Sequence, residues 1–195
     1  MAIYRAPVLK RCQYLGLNPL VLGYSTKGSI RRQKVRRRKQ SEYATQLIEK
    51  QKVRFVYGVL ERQFKLIYAR AEKMPGVTGE NLLQLLERRF DNVIFRLALA
   101  TTRQESRQRI THGHFTLNGR RVNIPSVTLK VGDKIGVKES SKHLVRQSKA
   151  ANQRSIPKWL AYDEDKLEAT LLALPSRSDI DFEVRESAIV ELYSK

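Results

Sequence analysis

The chain has 195 residues and carries 38 lysine and arginine side chains against 19 aspartates and glutamates, a formal net charge of +19. Such an excess strains a compact fold unless a polyanion neutralises it, so the composition indicates a phosphate-bearing partner, either nucleic acid or an anionic membrane surface. No run of 18 apolar residues occurs, so no transmembrane helix is expected, and the single Cys12 excludes an intrachain disulfide framework and a cysteine-based zinc site.

The charge is unevenly distributed along the chain. Residues 1–40 contain 11 basic and no acidic residues, residues 41–159 contain 23 basic and 10 acidic residues, and residues 160–195 contain 4 basic and 9 acidic residues. This pattern predicts a basic arm, a basic body and an acidic tail. The length accommodates one large domain or two small ones.

The basic arm has little helical periodicity and ends in the run RRQKVRRRKQ at 31–40. Runs of this kind are often solvated and disordered, and they also fit nuclear import signals. With so much accompanying positive charge we favour an arm that orders on RNA, where each neutralised phosphate releases condensed counterions. The predicted RNA contacts of the arm are Arg31, Arg32, Lys34, Arg36, Arg37, Arg38 and Lys39.

Two helices are predicted after the arm, near 41–53 and 59–73, because apolar residues recur there at three- and four-residue spacings. Tyr57-Gly58 marks the break between them, and Met74-Pro75-Gly76 ends the second helix. The aromatic residues at these spacings are more typical of a core than of base-stacking platforms.

A denser apolar run from 82 to 99 predicts two further helices, near 80–90 and 92–100, with Asp91 as the N-cap of the second. A capping box at 102–105 then starts another helix, which reaches about Thr111. This last helix is nearly devoid of apolar residues, so we expect it at the surface with Arg103 and Arg107 pointing outward together.

The stretch that follows predicts a turn and a hairpin. His112-Gly113-His114 forms the turn, and Asn118-Gly119 is the strongest short-range hairpin signal, because both central positions of a type I′ turn need a positive φ. No acidic residue occurs between 106 and 130, and arginine forks pair bidentately with phosphate oxygens. An alternative is that Asn118 serves the turn alone. The predicted RNA contacts here are Arg103, Arg107, His112, His114, Asn118, Arg120 and Arg121.

The remaining third of the chain predicts short elements. We expect strands at 127–129 and 134–137, and a helix near 143–152. A short helix is predicted over 162–173, stopped by Pro175, and one or two strands over 179–193.

Catalytic and metal-binding patterns are absent from the sequence. It contains no Walker loop, no GxGxxG after a strand and no GxSxG. His112 and His114 lack the cysteines or nearby carboxylates that a metal site would add. The adjacent acids at 163–165 fit a solvated helix start better than a catalytic pair. The sequence therefore predicts no enzyme, no cofactor and no metal.

Several motifs resemble one family. They are RRFDNVIFRLALA at 88–100, His112-Gly113-His114, VNIPS at 122–126 and IVELYSK at 189–195, and together they resemble bacterial small-subunit ribosomal protein S-four. The resemblance covers nearly the whole chain, is weakest over 1–40, and looks like the zinc-free branch. At Arg109 the family usually has an apolar residue, so this side chain either joins the RNA face or packs through its aliphatic stem.

The resemblance implies an α+β fold. A basic RNA-binding extension over 1–45 is followed by a helical domain over 46–80, which the C-terminal tail joins. A second domain over 81–195 contains a helix–helix–β-strand RNA-binding module with an antiparallel sheet at 87–150.

The resemblance also implies a function. The family binds the 5′ domain junction of small-subunit ribosomal RNA, nucleates assembly, contacts small-subunit protein S-five and neighbouring ribosomal proteins, and influences translational accuracy. It lies near the point where mRNA enters, has no membrane partner, and works in the bacterial cytoplasm. The same RNA-binding module occurs in RNA-modifying enzymes, and a DNA-binding regulator is a further alternative.

Overall fold

A computed structural model describes residues 7–25, 41–152 and 154–194. The chain folds as two compact units. The first runs to Leu82 and resumes at Ile180, and the second is the continuous segment Leu83–Asp179.

The first unit is helical. Helix α2 begins after Ser41, whose side chain accepts a hydrogen bond from the backbone N–H of Ala44, and ends at Gly58 in the left-handed conformation. This confirms the predicted break. The unit contains α1 (Val8–Leu15), a 3-10 turn (Pro19–Leu22), α2 (Glu42–Tyr57), α3 (Glu61–Glu72), the start of α4 (Thr78–Glu87) and α8 (Glu186–Tyr193).

Helix α8 corrects a prediction, since strands were expected over 179–193. Ile189 is fully buried, and Tyr193, one turn later, stacks on Tyr68 with ring centroids 4.4 Å apart. The four-residue spacing of these two side chains places them on the same helix face. Packing of this helix face decides the local structure, so the alternation of apolar and polar residues in the sequence did not indicate a strand.

The second unit combines helices with one antiparallel sheet, so the predicted α+β class is confirmed. The strand order is β2-β1-β3-β5-β4. Its core is apolar and includes Phe90, Ile110, Phe115 and the single tryptophan, Trp159. The unit contains the end of α4, then α5 (Phe90–Arg96), α6 (Arg103–Thr111), β1 (Phe115–Leu117), β2 (Arg120–Arg121), β3 (Lys134–Val137), α7 (Lys142–Ala151), β4 (Leu160–Asp163) and β5 (Glu168–Leu171), with 3-10 turns at Glu139–Ser141 and Arg177–Asp179.

The junction of α4 and α5 differs from the prediction. Arg89, not Asp91, occupies the N-cap position, and its side chain makes no capping hydrogen bond. Loop carbonyls satisfy two of the first backbone donors instead, since the N–H of Phe90 donates to Val127 and that of Asp91 donates to Pro125. Asp91 is therefore inside the first turn of α5.

Two predictions about the sheet were wrong. The helix expected over 162–173 is the β4–β5 hairpin, whose turn is held by Asp163 Oδ1 accepting from the backbone N–H groups of Asp165 and Lys166. The strand expected at 127–129 forms only an isolated bridge between Arg89 and Thr128. In the hairpin, burial of Leu160 and Leu171 in the core outweighs helix propensity.

Candidate nucleic-acid interface

Helix α6 begins as predicted. Thr102 is its N-cap and accepts from the backbone N–H of Glu105, and the buried Ile110 anchors the helix to the core. The expectation that Arg103 points outward was wrong. Its guanidinium lies 4.1 Å from the centroid of the Phe95 ring, and its Nε donates to Asn92 at 2.8 Å. A cation stacked on an aromatic face inside the fold stabilises α6 against α5.

Arg107 lies one turn further along the same face of α6. Its side chain is 37% exposed, and its Nη1 donates to Asp91 Oδ2 at 3.2 Å. This guanidinium is therefore tethered at one end and open to solvent at the other. Of the two arginines predicted on this face, Arg107 is the one available to a ligand.

Arg109 packs within the fold and does not join the RNA face, which were the two possibilities left open for it. Its guanidinium forms an ion pair with Glu105, donates to the Ser148 hydroxyl at 2.6 Å, and donates to the carbonyl of Leu99 at 2.6 Å. Its side chain is only 11% exposed. The residue joins helices α6 and α7 and is not part of the exposed cationic surface.

The turn between α6 and β1 brings several predicted residues together. Gly113 has a φ of 73°, and a Cβ atom there would collide with the guanidinium of Arg121. Arg121 reaches over this turn and donates from Nη2 to the carbonyl of His112 at 3.4 Å. The rings of His112 and His114 lie 5.9 Å apart. Glycine at position 113 adopts the left-handed backbone conformation of this turn and leaves room for the Arg121 side chain to cross it.

His114 is partly buried beside this turn. Its Nδ1 and the Ser141 hydroxyl are 2.8 Å apart. Burial lowers the pKa of His114, and the neighbouring His112, Arg109, Lys138 and Arg121 lower it further by like-charge repulsion. The ring is therefore kept neutral at a lower pH than an ordinary histidine.

The hairpin tip confirms the predicted type of turn. Asn118 and Gly119 have φ values of 50° and 78°. Asn118 also holds the tip in place, because its amide donates to Asp133 at 2.9 Å and its Oδ1 accepts from the backbone N–H of Lys134 at 2.9 Å. Its side-chain groups serve the fold. Arg120, on the returning strand, is exposed.

Among the predicted RNA contacts, we call Arg107, His112, Arg120 and Arg121 the hairpin cluster. Arg107 lies on α6, and His112 follows the end of that helix. Arg120 and Arg121 lie on β2, where Arg121 pairs with Thr116 of β1. All four side chains are at least partly exposed. His114 and Asn118 are partly buried or used by the turn, and Arg103 is buried. The arm residues Arg31, Arg32, Lys34, Arg36, Arg37, Arg38 and Lys39 lie outside the described residues.

A buried polar network supports this region and was not predicted. Glu87 accepts from both ends of the Arg96 guanidinium, at 2.7 and 3.0 Å, and from the Asn92 amide at 2.7 Å. The side chains of Glu87 and Arg96 are 1% and 5% exposed. The signal in the sequence was the presence of several charged residues, Glu87 and Arg96 among them, inside a run rich in apolar residues, since buried charges occur as pairs.

The last carbonyls of α5 and the turn after it are also satisfied by side chains that sequence reasoning missed. Each side chain comes from α6, α7 or the segment after α7, and most are cationic, which suits the negative end of the helix. Arg154 donates to Phe95, Lys149 to Leu97, Asn152 to Ala98 and Arg109 to Leu99. These cations form hydrogen bonds within the fold and are not part of the exposed cationic surface.

The described residues offer neither a metal site nor a membrane-spanning helix. Within residues 7–25, 41–152 and 154–194, no group of three or more histidine, cysteine, aspartate or glutamate side chains is placed to hold a metal ion. No helix in the same part of the chain is long and apolar enough to cross a membrane.

Comparison with known proteins agrees with this architecture. Residues 4–87 match the family described as Ribosomal protein S4/S9 N-terminal domain, and residues 88–135 match the S4 domain. The chain is 51% identical to the small ribosomal subunit protein uS4 of Agathobacter rectalis, 49% identical to that of Lachnospira eligens and 45% identical to that of Fusobacterium nucleatum, with 100% of both chains covered each time. The chain belongs to the uS4 family.

Membership of the uS4 family identifies a structural ribosomal protein and confirms the prediction that the chain is not an enzyme. The alternatives of an RNA-modifying enzyme and of a DNA-binding regulator were therefore wrong. The relatives match over their whole length, so the likeness is not restricted to a module that other classes of protein share.

Proposed function

We propose that this uS4-family chain binds small-subunit ribosomal RNA through the hairpin cluster. The observation that carries the proposal is the turn at Gly113, where Arg121 is held against the backbone beside His112 while Arg120 remains exposed next to it. A guanidinium group that is already hydrogen-bonded to the backbone, such as that of Arg121, loses less entropy when it pairs with phosphate oxygens.

The type of ligand follows from the chemistry of these groups. They are hydrogen-bond donors on α6, on the turn after it and on β2, and no phenylalanine, tyrosine or tryptophan accompanies them among the exposed residues of β1 and β2. Double-stranded and junction RNA are recognised mainly through shape, phosphates and 2′-hydroxyls, for which such donors suffice. A single-stranded ligand would call for stacking side chains.

The finer assignments rest on the resemblance to the family. We infer that the RNA is the 5′ domain junction, that binding nucleates subunit assembly, and that the basic extension over 1–45 adds contacts to the same RNA. Small-subunit protein S-five and neighbouring ribosomal proteins are the protein partners, mRNA passes close by, and the site of action is the bacterial cytoplasm. An effect on translational accuracy would follow from the contact with S-five.

The first test is a salt titration of binding to the 5′ domain RNA, with an unstructured RNA of the same length as competitor. Binding that survives the competitor, with a logarithmic slope reporting several neutralised phosphates, supports the proposal. Equal affinity for both RNAs would show that the chain is only a general polyanion binder.

The residues are tested by a double charge reversal, Arg107→Glu with Arg120→Glu. We expect binding to 5′ domain RNA to weaken about 100-fold and the salt slope to fall by about two, because two phosphate contacts become repulsive. Far-UV circular dichroism should be unchanged, since both side chains are at least partly exposed and the Asp91 carboxylate beside Arg107 keeps its hydrogen bonds from Arg89 and from the backbone N–H of Asn92.

A matched control keeps the same change in net charge. Lys158→Glu with Lys166→Glu alters exposed residues beside β4, at the opposite edge of the sheet from β2. This control should weaken binding much less. Equal losses in the two double variants would mean that net charge, and not the hairpin cluster, determines affinity.

A further inference from the structure

The carboxylate of Asp91 has an unusually complete set of donors for a group next to the protein surface. Oδ1 accepts from Arg89 Nε at 3.1 Å and from the backbone N–H of Asn92 at 3.0 Å. Oδ2 accepts from Arg89 Nη2 at 2.9 Å and from Arg107 Nη1 at 3.2 Å. Four donors satisfy the four acceptor positions of an ionised carboxylate.

This carboxylate is also fixed in space. Its side chain is 6% exposed, the fork of Arg89 grips it from within the fold, and the backbone N–H of Asp91 donates to the Pro125 carbonyl at 3.0 Å. Asp91 therefore has no freedom to follow Arg107, whereas Arg107, at 37% exposure, would be free without it. The contact between them restricts Arg107 alone.

We propose that Asp91 is a positioning residue that holds Arg107 for an RNA phosphate, an inference that rests on the proposed function. Nη1 bonds to the buried carboxylate, and the other N–H groups of the guanidinium have no partner among the described residues. An arginine side chain that is already ordered loses less rotamer freedom on binding. Ordering one such side chain costs an amount equivalent to about a three- to tenfold change in affinity.

Charge repulsion alone predicts the opposite effect of replacing Asp91 on RNA affinity. A carboxylate near a phosphate site repels the ligand, so replacing Asp91 by asparagine should strengthen binding if charge alone mattered. If Asp91 orders Arg107, the same substitution should weaken binding. The direction of the change separates the two explanations.

The experiment is a double-mutant cycle on binding to 5′ domain RNA at fixed salt, with wild type, Asp91→Asn, Arg107→Gln and the double variant. We expect Asp91→Asn to weaken binding about three- to tenfold in the wild-type background and to have no such effect when Arg107 is glutamine. A purely structural role for Asp91 would give the same loss in both backgrounds and would overturn the inference. Stronger binding of Asp91→Asn would overturn it as well.

The controls distinguish this inference from the proposed function. Unchanged binding by Arg107→Gln would remove Arg107 from the interface, which contradicts the site assignment itself. A loss with Arg107→Gln but none with Asp91→Asn contradicts only the positioning role. Glu139→Gln removes another acid that pairs with a cation, Lys142, but its side chain is 85% exposed, and this variant should bind as well as wild type or better.

If Asp91→Asn is too unstable to test, a variant that leaves Asp91 in place can be used instead. Arg107→Lys preserves the charge but lacks the fork needed to contact Asp91 and a phosphate through separate nitrogens. We expect it to bind about three- to tenfold more weakly with the salt slope unchanged. Wild-type affinity in this variant would contradict the positioning role.

Discussion

The two units of the chain handle charge in different ways. In the first unit, Glu61 accepts from Lys50 at 2.8 Å and pairs with Arg54 at 2.6 Å, but its side chain is 49% exposed. In the second unit, the pair of Glu87 and Arg96 is almost completely buried. The Glu61 pairs therefore lie at the surface of the first unit, whereas the Glu87–Arg96 pair lies in the interior of the second.

The difference teaches where ion pairs matter for stability. Exposed pairs contribute little, because water and salt already stabilise the separated charges. A buried pair gains little over apolar packing, but losing one partner leaves an uncompensated charge inside the fold. The second unit is therefore sensitive to a single substitution that would be nearly silent in the first.

The largest expected effect comes from breaking the buried pair with Glu87→Gln. Arg96 would keep its charge without a counterion, so the free energy of unfolding of the second unit should fall by about 3–5 kcal/mol. Trp159, the single tryptophan, is buried in this unit, so its fluorescence during urea denaturation measures the change. Glu61→Gln is the matched control in the first unit; followed by hydrogen exchange of the α2 and α3 amides, it should cost at most about 1 kcal/mol. Similar losses in both variants would remove the contrast between the units.

A smaller effect is expected in the first unit from Tyr193→Ala. The ring stacks on Tyr68 and Phe64, and the hydroxyl donates to Glu61, so the loss should be about 2 kcal/mol. Hydrogen exchange of amides in α2, α3 and α8 should speed up, while the Trp159 transition stays in place. Tyr43→Ala, an exposed tyrosine on α2, is the control and should change neither. A shifted Trp159 transition would show that the units do not unfold independently.

The smallest effect concerns pH and the turn at His114. Because the pKa of His114 is lowered in the folded state, the unfolded chain binds a proton that the folded chain does not. Its contribution to stability is complete above the ordinary histidine pKa of about 6.5 and is lost as the pH falls below that value toward the folded pKa. An NMR titration of the folded protein should give a midpoint below 6.5. A midpoint at or above it would contradict the environment described for this ring.

Local signals predicted local structure well. The N-cap at Thr102, the helix end at Gly58 and the Asn118-Gly119 turn are each decided within a few residues, and each is confirmed. The capping box is only half formed, because the Glu105 carboxylate accepts from the backbone N–H of Thr101 and not from that of Thr102. The predictions for the segments that form the β4–β5 hairpin and helix α8 were wrong, because the structure of these segments depends on partners that are distant in sequence. Leu160 and Leu171 enter the core of the second unit, and Tyr193 stacks on Tyr68, which is more than 100 residues away in sequence.

The candidate site was predicted in composition but not in the roles of its arginines. Sequence spacing placed Arg103 and Arg107 on one face of α6, which is correct, but could not show that this face packs on Phe95 and Asp91. The sequence likewise left open whether Arg109 joins the RNA face or packs within the fold, and the structure shows that it satisfies the carbonyl of Leu99. Which cations remain for a ligand depends on tertiary packing, which spacing along one helix does not contain.

The division of the chain has a consequence for its synthesis. The second unit is continuous from Leu83 to Asp179, whereas the first needs residues from Ile180 onward to complete its core. Domains of multidomain chains generally fold as units while they are made, the N-terminal one first. Here the order of completion is reversed. The segment translated first must wait, with Phe64 and Tyr68 uncovered by Tyr193, until the segment translated last has emerged.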